Sequence, residues 1–296
     1  MPLSVNYNSK RELVTFLEER GLGMRRKFGQ NFLINPAVRT RLLDALELKN
    51  GDKVWEIGPG LGAMTTGLLE RGAKITAFEI DPAFARILGE SLGESIIEGD
   101  VMKTWRTVDT AGSVPKEELF LFGNLPYNIA AALLADFIER GRFFKRMVVT
   151  VQREVAQRMA AGPCSADYSS FSVLCSSVYK VTLLEVIKAS SFYPAPRVDS
   201  QGVRLDLVSE RKELPGLFYP LVRSLFSARR KTLRNTLSAF AAQVIIRQNS
   251  APGSAREAAE EVLNRAGISR DRRAETLCID EFAALAAFME EIVSYV

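Results

Sequence analysis

"KVWEIGPGLGAMTTGLLERGAKITAFEID", from Lys53 to Asp81, decides the fold. "KVWEI" reads as a strand, and glycines at 58, 60 and 62 end it. "AMTTGLLERG" reads as a helix stopped at Gly72, and "KITAFEI" as a second strand. The alternation then continues. Asp81-Pro82 is a helix start, a side-chain cap followed by proline at the first helical position. "SIIEGD" and "LFLFGN" read as strands, "IAAALLADFIER" as a helix and "RMVVTVQ" as a strand. Strands alternating with helices predict a mostly parallel sheet covered on both faces, hence an α/β, Rossmann-like fold. Lys180–Lys188 and Gln201–Val208 read as late strands, an antiparallel pair at the sheet edge.

Upstream, Lys10 to Arg20 reads as an amphipathic helix, followed by a basic loop, "MRRKFGQNFL", and a helix from Pro36 to Leu46. After Ser209 the strands stop. "LFYPLVRSLFSARRKTLRNTLSAF", "AREAAEEVLNRAG" and "DEFAALAAFMEEIVSYV" are helical in pattern. The division expected is a catalytic domain over 1–209 and a small helical domain over 210–296.

Composition narrows the chemistry. The 296 residues are 47% hydrophobic and 25% charged with net charge +4, as in a globular protein with a mild preference for polyanions. There is no histidine, which removes Ser–His triads, imidazole bases and His-ligated metals. Cys164, Cys175 and Cys278 are too scattered for a zinc site and read as buried reduced thiols, so no metal is expected. The N-terminus shows no apolar signal region and no run is long enough to span a bilayer. A cytoplasmic protein with no membrane partner is expected.

"EIGPGLG", from Glu56 to Gly62, lies where a strand turns into a helix and lets the backbone approach a ligand. It also satisfies the dinucleotide pattern G-x-G-x-x-G/A. Glu56, Gly58 and Gly60 are its cofactor-site candidates. Glu79 ends the second strand, and Asp100 follows the third, 21 residues on. Both therefore fall at carboxyl ends of neighbouring strands, where open α/β sheets bind ligands. Glu79 can accept from ribose hydroxyls and Asp100 from an adenine amine, which suits S-adenosylmethionine as well as NAD.

"GNLPYN", from Gly123 to Asn128, separates the two, because hydride transfer does not call for it. An aromatic amine is a poor nucleophile, its lone pair being delocalised into the ring. The side-chain oxygen of Asn124 and the backbone oxygen of Leu125 can accept from such an amine and localise the lone pair. Pro126 fixes the turn, and Tyr127 offers a ring on which a base can stack. Positioning supplies most of the acceleration, and no histidine base is needed.

"RRKFGQNFL", "EIGPGLG", "FEID", "EGDVMK", "FGNLPYN", "VQREVAQRMAAGP", "FYPAPRVDS", "RRKTLRNTL" and "RAETL" follow in an order that resembles the small-subunit ribosomal RNA adenine dimethyltransferases, the kasugamycin-sensitivity type. The resemblance runs from about Arg25 to the C-terminus. It implies a Rossmann-like S-adenosylmethionine-dependent methyltransferase sheet. Asn31 and Leu33 would close over the methionine end of S-adenosyl-L-methionine, Gly58 would be the loop contact, and Asn124 would bridge cofactor and target. Tyr127 and Phe192 would sandwich a flipped base. The implied reaction is dimethylation of the N6 amines of two adjacent adenosines near the 3′ end of small-subunit rRNA, in a pre-assembled small ribosomal subunit, by a monomer. Two positions depart from the family pattern: Ala195 where a third proline is usual, and Ser169 where glycine is usual.

Basic residues cluster at Arg25, Arg26 and Lys27, and at Arg229, Arg230, Lys231 and Arg234, the latter on one expected helix. Arg270, Arg272 and Arg273 form a third group. They are candidates for RNA phosphate contacts, which position a substrate rather than read its sequence. The rivals are a large-subunit rRNA adenine methylase of the antibiotic-resistance type, a non-catalytic ribosome-assembly factor and, third, a dehydrogenase.

Overall fold

The computed structural model describes residues 5–23, 29–110, 118–210, 213–247 and 255–294. Arg25, Arg26 and Lys27 lie outside the described residues. The chain opens with α1 (Lys10–Glu19), whose first turn is capped by the Ser9 side chain and which buries Leu13, Phe16 and Leu17. Then come β1 (Phe32–Leu33) and α2 (Pro36–Asp44), the latter capped by Asn35. The alternating region follows as β2 (Lys53–Ile57), α3 (Ala63–Glu70), β3 (Lys74–Glu79) and α4 (Pro82–Leu92). It continues through β4 (Ile96–Glu98), α5 (Val101–Thr110), β5 (Leu119–Asn124), α6 (Ala130–Glu139) and β6 (Arg146–Gln152). As its spacing predicts, α4 starts on Asp81, whose carboxylate accepts the Ala83 N–H at 3.0 Å.

After β6 come α7 (Arg153–Ala160), α8 (Ser170–Ser176), β7 (Tyr179–Ile187), β8 (Phe192–Tyr193) and β9 (Ser200–Leu207). The remainder is α9 (Phe218–Phe226), α10 (Leu233–Arg247), α11 (Ala255–Arg265) and α12 (Ile279–Ser294).

Among the described residues the main sheet runs β4-β3-β2-β5-β6-β9-β7. The five strands from β4 to β6 are parallel; β9 runs antiparallel to both β6 and β7. The late pair thus sits at the edge, with β7 outermost. Strand order reverses between β2 and β5, and the crevice at their carboxyl ends is where such sheets bind ligands. Both faces are covered. One face packs Val54, Phe120, Phe122 and Val148 with α2 and α3. The other stacks Trp55 edge-on with Phe78 and Phe144, and Trp105 with Phe137. Each such fully buried apolar side chain contributes about 1.5–3 kcal/mol.

Helices α5, α7 and α8 carry no strong local signal. "VMKTWRTVDT" is rich in β-branched residues, yet it forms α5 because Asp100 caps it and Val101 and Trp105 are buried. Ser169 and Ser172 form a reciprocal capping box at the start of α8. Ser169 has extended backbone, φ −152°, so the side chain that replaces the family's glycine is accommodated.

The chain forms two compact units, Met1–Ala156 with Tyr179–Leu207, and Gln157–Val178 with Val208–Val296. The helical unit therefore takes in 157–178, which a linear division at 209/210 leaves with the sheet. Tyr168 and Val173 are buried in its core with Phe218, Leu225, Leu277 and Phe282, and the Tyr168 hydroxyl donates to the Leu277 carbonyl at 2.9 Å.

Two expectations are corrected here. Cys175 is a buried thiol, but Cys164 and Cys278 are exposed. The stretch 217–240 is not one helix: Arg229, Arg230 and Lys231 lie in the turn between α9 and α10, and only Arg234 is helical. The break is tertiary in origin. The first N–H groups of α10, at Leu233 and Arg234, donate to the carbonyls of Arg272 and Arg270 at 2.8 and 3.1 Å. Those carbonyls satisfy donors that a helix start leaves unpaired.

Candidate active site

The carboxyl ends of β2, β3, β4 and β5 form one rim. Gly58 follows β2 and its N–H donates to the Phe78 carbonyl at 2.9 Å; Gly99 follows β4 and donates to the Glu79 carbonyl at 2.8 Å. Two pockets open along the rim and share Gly58, Ile80 and Pro126. The first holds Asp100 with Ile57, Phe78, Val101 and Ile129, an apolar slot with one acid. The second gathers Asn31, Leu33, Gly58, Gly60, Glu79 and Asn124. The residues named from sequence for the cofactor are thus brought together, with the exception of Glu56, which lines neither pocket.

The glycine loop is shaped by contact. Gly60 has φ +60°, and a Cβ there would lie 2.8 Å from the Phe32 ring. Phe32 belongs to β1, so Gly60 lets the 29–34 segment close against the loop. Further bonds fasten that segment: Gln30 Nε2 donates to Asp81 Oδ2 at 3.0 Å, and Asn124 Nδ2 donates to the Asn31 carbonyl at 2.7 Å. The Tyr7 hydroxyl donates to the Leu61 carbonyl at 2.6 Å, and burial pushes this phenol up to about 12.

Two buried carboxylates lie beneath. Glu79, 4% exposed, accepts the N–H groups of Gly60 and Asp81, each at 2.9 Å and each on a different oxygen. Each oxygen keeps a lone pair for a further donor. Burial raises its pKa, and these backbone donors oppose the rise. Glu56, 1% exposed, accepts from the Thr65 hydroxyl at 2.7 Å. Burial first, and the nearby Glu79 charge after it, push this carboxyl up to about 8. Asp100 Oδ1 accepts the Met102 N–H at 3.0 Å.

This set of donors and acceptors fits S-adenosyl-L-methionine. An apolar slot with an acid for an amine suits adenine, an acid at the next strand end suits ribose hydroxyls, and amide groups line the remainder. Asn31, Leu33, Gly58, Gly60, Glu79 and Asp100 are the residues that would hold it.

At the end of β5, a Cβ on Gly123 would lie 2.5 Å from Leu125 Cδ2. Glycine there lets the Leu125 side chain fold back into the core, turning the chain out at Pro126. Asn124 Oδ1 accepts from the Thr150 hydroxyl. Tyr127 is half-buried, and its hydroxyl and that of Ser200 are 2.6 Å apart. Burial raises the Tyr127 pKa. Phe192 is placed differently from the expected sandwich. Its strand β8 pairs with β1, Leu33 opposite Phe192, and the ring is 3% exposed in the core beside Leu33 and Phe122. The buried pairing directs it inward, so of the expected sandwich pair it is Tyr127 that is partly exposed.

Among the basic clusters, Arg229 pairs with Glu275 at 3.4 Å, Arg234 with Glu260 at 2.9 Å, and Arg272 with Glu281. Arg230, Lys231, Arg270 and Arg273 are exposed. Sequence reasoning missed Ile80, Thr150 and Ser200. Ile80, an apolar residue between two acids and 39% exposed, carried a signal in its position; Thr150 and Ser200 act across strands and carried none.

The sheet and its crevice define a Rossmann-like methyltransferase. A dimethyladenosine transferase from Plasmodium falciparum superposes with a TM-score of 0.69 at 26% identity, over 87% of this chain and 96% of that one. The 23S rRNA methyltransferase ErmE shares the fold, with a TM-score of 0.59 at 21% identity over 87% and 99%. In sequence, the model of the ribosomal RNA adenine dimethylase family matches residues 21–284. A ribosomal RNA small subunit methyltransferase A of Treponema pallidum is 43% identical over 95% of this chain and 96% of its own. One from Borreliella burgdorferi is 41% identical over 81% and 84%. The chain belongs to the ribosomal RNA adenine dimethylase family, and its activity is S-adenosylmethionine-dependent dimethylation of rRNA adenine.

Proposed function

We propose that the substrate is small-subunit rRNA, and that two adjacent adenosines near its 3′ end each receive two methyl groups on N6. The observation that carries the reading is the amide of Asn124 at the pocket that also gathers Gly58, Gly60 and Glu79. S-adenosyl-L-methionine, when bound, supplies an electrophilic methyl and takes up the electron pair of the broken carbon–sulfur bond. Asn124 Oδ1 and the Leu125 carbonyl accept from the target amine and hold its lone pair toward the cofactor pocket. Tyr127 stacks on the flipped base, and the amine proton passes to solvent. Glu79 and Asp100 orient the nucleoside of the cofactor. Arg230 and Lys231, with Arg229 and Arg234 beside them, contact RNA phosphates, so the helical unit is the RNA-binding one and the sheet unit the catalytic one.

The names of the Treponema and Borreliella relatives favour the small subunit over the large. The protein then works as a monomer on a pre-assembled small subunit in the cytoplasm; no helix among the described residues is long and apolar enough to cross a membrane. Mass spectrometry of rRNA from a deletion strain tests the target. Loss of N6,N6-dimethyladenosine from small-subunit rRNA is expected. Loss from large-subunit rRNA alone would sink the proposal.

A further inference from the structure

Thr150 is the polar member of a run, Met147 to Val151, in which every residue is 0% exposed. A buried hydroxyl in such a strand costs free energy unless it is hydrogen-bonded. Strands β5 and β6 are parallel, with Asn124 and Thr150 as register partners. The Thr150 hydroxyl donates to Asn124 Oδ1, and the Thr150 carbonyl accepts the Leu125 N–H at 3.1 Å. One residue of the neighbouring strand therefore holds the Asn124 side-chain oxygen directly and the backbone of the next residue through its N–H.

We infer that Thr150 is a positioning residue for methyl transfer, its hydroxyl setting the Asn124 side-chain oxygen to receive the target amine. The inference rests on the reading of Asn124 and Leu125 as amine acceptors. The physical argument concerns the direction of the amide. A carboxamide has two ends of similar size and opposite hydrogen-bonding character. Asn124 Nδ2 donates to the Asn31 carbonyl at 2.7 Å, so that end needs a donor. The Asn31 carbonyl, which can only accept, selects the orientation of the amide. In that orientation the Thr150 hydroxyl donates to Oδ1 and fixes the position of this oxygen. Oδ1 accepts one bond from Thr150 and keeps its second lone pair for the amine. Valine at 150 preserves shape and burial but withdraws the donor. The amide is then held by Asn31 alone, on a segment that must itself close over the cofactor. Serine preserves the donor.

Single-turnover methyl transfer at saturating RNA and cofactor, run beside calorimetry and melting curves, tests this on Thr150→Val, Thr150→Ser and Asn124→Ala. The expected loss for Thr150→Val is about ten- to a hundredfold in rate, the range found when outer partners of metal ligands are removed. Cofactor and RNA affinities should hold, and Thr150→Ser should restore most of the rate. A Thr150→Val enzyme with wild-type rate, beside an impaired Asn124→Ala, overturns the inference and leaves the acceptor assignment standing. Equal losses of rate and melting temperature in both Thr150 variants, with no rescue by serine, also overturn it, leaving Thr150 a core residue only. An Asn124→Ala enzyme with wild-type rate removes the acceptor assignment itself and the inference with it.

Discussion

Glu79 and Glu56 are both buried carboxyls whose pKa burial raises, and they differ in their hydrogen-bond partners. Glu79 meets two backbone donors and Glu56 one hydroxyl. A hydrogen bond to a charged group is worth roughly 1.5–3 kcal/mol. Glu79→Ala is therefore expected to weaken S-adenosylmethionine binding by about ten- to a hundredfold, read by calorimetry on folded protein. Glu56 gives a pH effect with a definite sign. The folded protein keeps a proton on Glu56 that the unfolded chain releases, between the ordinary value of 4.5 and about 8. The folded state thus binds more protons in that window, and stability falls as pH rises through it. Glu56→Gln should flatten the fall. Melting temperatures compared near the two ends of the window check this, and an equally steep fall in the variant would refute it.

The glycine loop, the strand end and the basic turn each depend on a neighbour. Gly60→Ala places a side chain in left-handed backbone, costing about 1–2 kcal/mol, and drives it against Phe32. The variant should melt lower and bind cofactor more weakly, because the 29–34 segment can no longer lie on the loop. The turn between α9 and α10 holds Arg230 and Lys231 exposed, while Arg229 and Arg234 already face acids. Replacing Arg230 and Lys231 by alanine should flatten the salt dependence of RNA binding, its log–log slope falling by roughly 0.7–0.9 for each phosphate no longer neutralised. Cofactor affinity should not change. An unmoved salt slope would mean that the turn is a solvated surface.

The helical unit is built from two separate stretches of chain. Tyr168 and Val173 fill its core from the 157–178 segment, and Tyr168 bonds Leu277 at 2.9 Å. A chain ended at residue 209 keeps that segment but removes the helices that cover it. Limited proteolysis should then cut within 157–178, where the full chain resists. Equal resistance in both would show that the segment does not need the C-terminal helices.

The sequence alone determined the parallel alternation, because buried strands and amphipathic helices write their periods locally. It also placed the polar groups of the rim, because Glu79 and Asn124 close strands and Asp100 lies two residues past one. The helices α5 and α8 start on local caps, Asp100 and the serines at 169 and 172, and are completed by burial of Trp105 and Val173. The break before α10, where the carbonyls of Arg270 and Arg272 take the first N–H groups, and the exposure of Cys164 and Cys278 were decided by tertiary contacts. The inward turn of Phe192 and the grip of Thr150 on Asn124 are likewise matters of strand pairing. A pairing between strands distant in sequence leaves no period in either one. Side chains that act across it become visible only once the strands lie side by side.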